Sequence, residues 1–127
     1  MRMLVLLGIL ALATPALADT IFSTGSMTYS GLVIVDTSCS IYNAGPKPVT
    51  ITHVGLVPYA SGGTQAADSD DCTTAPLAAE TTCRFSGSSG TFGGGIAKVK
   101  GSTKNLRGSC TLFPDAGGPA ILYELMR

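Results

Sequence analysis

The chain has 127 residues, with eight basic and eight acidic side chains, one histidine and four cysteines. Charge this sparse and balanced excludes a polyanion-binding composition, so no nucleic-acid partner is expected. The length is that of one ordinary domain.

The opening stretch, MRMLVLLGILALATPALA, places Arg2 before an apolar run from Leu4 to Ala13 and a small-x-small site at Ala16-Leu17-Ala18. This is the layout of a secretory signal peptide over residues 1–18. A bilayer span needs about 20 apolar residues, and Thr14-Pro15 ends this run well short. The expected mature protein is residues 19–127, a single domain in the periplasm or secreted, with no transmembrane segment. Losing Arg2 leaves it a net charge of about −1.

Thr20–Thr24 and Met27–Tyr29 read as a broken first strand. Leu32–Tyr42 reads as a second. Val33, Val35, Cys39 and Ile41 share one parity there, while Asp36, Ser38, Ser40 and Tyr42 share the other. The run Asn43-Ala44-Gly45-Pro46-Lys47-Pro48 is a turn whose prolines cannot donate to a ladder. Val49–Pro58 is a β-branched third strand with a phase problem: Val49 and Ile51 are odd, Val54 and Leu56 even. A bulge at Gly55 would restore one face; burial on both sides is the alternative.

Residues 58–71 read as a loop. Leu77 and Ala78 form a short edge strand before a strand over Thr81–Ser86. Residues 86–95 read as a glycine-serine loop with Phe92 at its tip. Ile96–Gly101 and Leu106–Phe113 are strands, with Leu106, Cys110 and Leu112 on one face. Pro114–Pro119 is a turn, and Ala120–Met126 is a last strand, apolar on both faces except at Glu124. Seven to eight short strands with regular turns and no helical stripe predict an all-β, immunoglobulin-like β-sandwich following the signal peptide helix. The antibody-type core Trp is absent, and Gly108 stands where such domains carry a Tyr.

Four cysteines in an exported chain read as two disulfides with three pairings open. Cys72–Cys83, around Pro76, and Cys39–Cys110 are preferred. The second would join an early strand to a late one, as an inter-sheet bridge does. Zinc is the rival for the four sulfurs, and the lack of any CxxC weighs against it.

The run C-x-I-x-N-x-G-x-x-P-V-T-I-T-x-V from Cys39 to Val54, LAAETTC at 77–83 and KNLRGS at 104–109 resembles small exported proteins of Gram-negative bacteria. These show C-x-V-x-N, then L-x-P-G-x-x-C, then V-R-G-S. The resemblance implies an immunoglobulin-like sandwich without a known role and carries over no catalytic residue. Ala79-Glu80 stands where that pattern has Pro-Gly, so a different turn is expected.

Candidate sites are few. His53, the single histidine, suits a base or a metal ligand, but no nucleophile can be assigned to it. Asp68, Asp70 and Asp71 offer hard oxygens for calcium, without EF-hand spacing; a solvated acidic loop is the preferred reading. Lys98, Lys100, Lys104 and Arg107 suit an anionic glycan, a lipid headgroup or an acidic protein. On a hairpin Lys98 and Lys100 would share a face, and edge lysines also block sheet aggregation. Phe92 could serve recognition. No G-x-S-x-G elbow or phosphate loop occurs.

The expectation is a non-enzymatic binding or structural module of the envelope, with no cofactor and an envelope or extracellular protein or glycan as partner. Alternatives are a pilus, coat or envelope-assembly subunit using strand addition, a small periplasmic metal-dependent hydrolase at His53 and the 68–71 loop, and an inhibitor of another enzyme.

Overall fold

The computed structural model describes residues 19–23, 34–58, 63–88, 92–114 and 121–124. The expected signal peptide, the strand piece at 27–29, the centre of the 86–95 loop and the turn after Pro114 lie outside the described residues. Eight strands run in chain order: β1 (Asp19–Ser23), β2 (Ile34–Asn43), β3 (Thr50–Pro58), β4 (Ser69–Asp70), β5 (Thr82–Gly87), β6 (Phe92–Lys100), β7 (Leu106–Pro114) and β8 (Ile121–Glu124). They form two antiparallel sheets, β1-β6-β3 and β4-β5-β2-β7-β8. Among the described residues there is no helix, hence none long and apolar enough to cross a membrane.

The sheets pack face to face on one core. Ile51, Val54, Leu56, Ala97 and Val99 come from the smaller sheet, and Cys39, Ile41, Phe85, Leu106 and Cys110 from the larger. Period-2 patterning places them. In β2 the buried residues are Thr37, Cys39, Ile41 and Asn43, while Asp36, Ser38 and Ser40 are half-buried and Tyr42 is exposed. In β7 they are Leu106, Cys110, Leu112 and Pro114.

The phase change in β3 is resolved by a bulge, at Thr52 and not at Gly55. Ile51 pairs with Val99 and His53 with Lys98, leaving Thr52 as the extra residue. Its hydroxyl donates to the Lys98 carbonyl at 3.2 Å. Ile51, Val54 and Leu56 can then all face inward although their parities differ. Gly55 is an ordinary ladder residue opposite Ile96.

Several other expectations are corrected. The glycines at 93–95 belong to β6, not to a loop, and all three are buried. Gly95 lacks a side chain because the Cys39 sulfur and the Phe85 ring pack directly on its backbone. Phe92 is the first residue of β6, opposite Pro58, rather than a loop tip. Leu77 makes only an isolated bridge to Val49, with no strand at 77–78. The 58–71 loop contains β4, which pairs with β5. Finally, β6 and β7 are no hairpin, because they lie in different sheets.

Both disulfides have the preferred pairing. Cys39 and Cys110 are directly opposed on neighbouring strands of one sheet, with Cα atoms 4.0 Å apart. The expected inter-sheet placement is therefore wrong. Strand parity puts both sulfurs on the inner face, but it does not say whether two inward-facing strands are opposed or adjacent. Cys72–Cys83 ties the segment after β4 to β5.

Candidate functional site

His53 owes its position to the bulge. The extra residue Thr52 turns the histidine outward, where it is exposed opposite Lys98. Beside it, the chain from Gln65 to Thr73 folds back along β3, anchored where Gln65 and Leu56 exchange two backbone hydrogen bonds of 2.8 Å. The space between is an open cleft of about 220 Å³, lined by Thr52, His53, Val54, Ala66, Ala67, Asp70 and Thr73. The histidine and one carboxylate of the acidic loop thus meet in one cleft.

The three carboxylates do not converge. Asp68 accepts the Ser88 amide at 2.8 Å and its hydroxyl at 3.3 Å. Asp70 accepts the amides of Cys72 at 2.7 Å and Thr73 at 3.2 Å, and the Thr73 hydroxyl. Asp71 accepts the Arg84 amide. Each aspartate ties down backbone at a different place, which holds the 68–73 segment against β5. The carboxylate of Asp71 and the sulfurs of Cys72 and Cys83 lie within 4.8 Å of one another. Those sulfurs are bonded to each other, so neither is a thiolate able to ligate a metal. The 3.9 Å approach of Asp71 to the Cys72 sulfur is not a hydrogen bond either, because a disulfide sulfur carries no proton.

The four cations divide between two elements. Lys98 and Lys100 are exposed on the outer face of β6, opposite His53 and Thr50. Among the described residues neither has an acidic partner. Lys104 lies in the turn that crosses between sheets, and Arg107 is the second residue of β7 in the other sheet. The Arg107 guanidinium folds back on that turn, donating to the carbonyls of Lys104 at 3.1 Å and Leu106 at 2.8 Å.

Asn43 is a polar anchor that the sequence reading passed over. Its side chain is fully buried. Its Nδ2 donates to the Lys47 carbonyl at 2.8 Å and the Leu77 carbonyl at 3.1 Å, with Ala78 at 3.3 Å, while its Oδ1 accepts the Gly45 amide at 2.9 Å. It closes the 43–48 turn and fastens the 77–81 turn to it. A signal was present, since Asn43 continues the inward parity of Cys39 and Ile41. Thr37 shares that parity, and its buried hydroxyl has no hydrogen-bond partner.

Compared with protein-family models, with curated proteins and with solved structures, the chain finds no match.

Proposed function

We propose that the chain is an exported, immunoglobulin-like β-sandwich that works by binding rather than turnover, as a module of the cell envelope. The observation that supports this is the fate of the acidic loop. Asp68, Asp70 and Asp71 each accept a backbone amide, which gives them structural work, and among the described residues none of the three is hydrogen-bonded to His53. What the smaller sheet offers to solvent is a face carrying Lys98, Lys100, Thr50 and His53, with Ile21 exposed beside Lys98, suited to an anionic protein or glycan. Two disulfides fit an oxidising compartment.

The test is native mass spectrometry of the protein taken from its own envelope fraction. A bound partner that is lost from a Lys98→Glu/Lys100→Glu double variant is the expected result. A partner retained by that variant, or a bare monomer even after crosslinking in the living cell, would overturn the binding face.

The cleft shared by His53 and Asp70 favours one second reading, a small metal-dependent hydrolase. It requires that His53→Ala abolish any hydrolytic activity the purified protein shows. Activity unchanged in that variant removes it.

A further inference from the structure

Four strand edges bound the two sheets, and they differ in how they are protected. The outer edge of β3 is occupied at both ends, by the Val49–Leu77 and Leu56–Gln65 bridges. The outer edge of β5 is covered by β4 and by the backbone bonds from Asp68 to Ser86 and from Asp71 to Arg84. β8 is the edge strand at the other end of the larger sheet, only four residues long, and no described residue pairs with its far side. Among the described residues, no segment covers the edge of β1. Its sequence, Asp-Thr-Ile-Phe-Ser, contains no lysine and no proline, its register against β6 is unbroken, and no described residue pairs with its far side. Ile21, at the strand centre, is 59% exposed.

We infer that two copies of the chain associate by antiparallel pairing of their β1 edges, joining two three-stranded sheets into one of six. The strand is self-complementary for this operation. A two-fold axis at Ile21 sets Ile21 against Ile21 of the second copy, Thr20 against its Phe22 and Asp19 against its Ser23. No like charges are opposed, and the most exposed apolar side chain of the sheet meets its own copy. A C2 contact must be isologous and a β-edge contact must satisfy main-chain donors; the central placement of Ile21 allows both at once. Ile21 and Lys98 are cross-strand neighbours, so the aliphatic stem of Lys98 can flank the isoleucine pair on each side. The backbone pairing uses the edge of the sheet, while Ile21 and Lys98 lie on its outer face, so the contact adjoins the binding face proposed above.

The processed protein is examined by sedimentation velocity from about 10 μM to about 1 mM, a range suited to a contact this small. The expected result is a reversible dimer whose dissociation constant rises about tenfold or more in Ile21→Lys and by less in Ile21→Thr. Ile21→Cys should crosslink into a symmetric disulfide dimer under air, while Thr74→Cys, exposed on the loop after β4, should not. Intact mass confirms both native disulfides in each variant; if Ile21→Lys fails to fold, Ile21→Thr carries the comparison. A monomer throughout the range, or a dimer indifferent to the foldable Ile21 substitutions, overturns the inference.

Discussion

Gly95 lies so close to Cys39 that a Cβ on the glycine would sit 2.7 Å from the cysteine sulfur and 2.9 Å from the Phe85 ring. All three residues are buried. The disulfide of one sheet therefore packs on bare backbone of the other, and the glycine at position 95 is a requirement of the core.

A methyl group at this position has nowhere to go. Gly95→Ala is expected to cost about 1–3 kcal/mol, the range for overpacking a close-packed site. The urea midpoint of the disulfide-intact protein reads it directly. A midpoint equal to that of the parent would contradict the packing described.

Asn43 makes a second, polar prediction. Asn43→Ala strands the Gly45 amide away from water and takes one of two donors from the Leu77 carbonyl, which keeps the Val49 amide, with an expected loss of roughly 1–3 kcal/mol. Asn43→Asp should cost at least as much, because it turns an acceptor towards the Lys47 and Leu77 carbonyls. Urea unfolding of both variants checks the order.

Glu80 holds a φ of +58°, a left-handed conformation that glycine adopts without penalty. The turn expected to differ from Pro-Gly thus has the backbone a Pro-Gly turn would need at its second residue. It is fastened on both sides of Glu80. The Glu80 amide donates to the Asn43 carbonyl at 2.8 Å, and the Thr81 hydroxyl to that of Ala78 at 2.8 Å. Relief of the left-handed strain exceeds the extra chain entropy of glycine, so Glu80→Gly should stabilise by roughly 0.5–1 kcal/mol. A higher thermal midpoint is the readout.

The unpaired hydroxyl of Thr37 is a cost inside the core. Thr37→Val keeps the shape and removes the orphaned polar atom, and should stabilise by about 1 kcal/mol. Loss of stability in this variant would mean that the hydroxyl has a partner.

Parity along β2 and β7 was readable because each strand has one buried face; Cys39, Ile41, Leu106, Cys110 and Leu112 followed from residue type, whereas the buried Thr37 and Asn43 did not. The position of the bulge in β3 was misjudged: only an extra residue between Ile51 and Val54 turns both inward, as Thr52 does, and one at Gly55 would leave Val54 facing out. The glycines at 93–95 misled as well. Locally they look like a hinge; the need for Gly95 becomes visible only when Cys39 and Phe85 arrive from another sheet. At the candidate site, His53 and Asp70 were each identifiable by chemistry, and their meeting in one cleft depends on the Gln65–Leu56 contact. Nothing in the spacing of Asp68, Asp70 and Asp71 foretold that each would accept a different amide.

The order in which the chain visits its sheets has a kinetic consequence. It starts in the smaller sheet, crosses at β2, returns at β3, crosses again for β4 and β5, returns at β6 and ends in the larger sheet with β7 and β8. Only β4–β5 and β7–β8 pair with their sequence neighbours. Nearly every ladder must wait for a distant segment, so refolding with disulfides intact should fall in the slow regime of non-local β proteins, milliseconds to seconds. A growing or truncated chain lacking β7 leaves β2 without one of its two neighbours and Cys39 without its mate. Completion of the larger sheet, and closure of its disulfide at Cys39, is thus an event of the nearly finished chain.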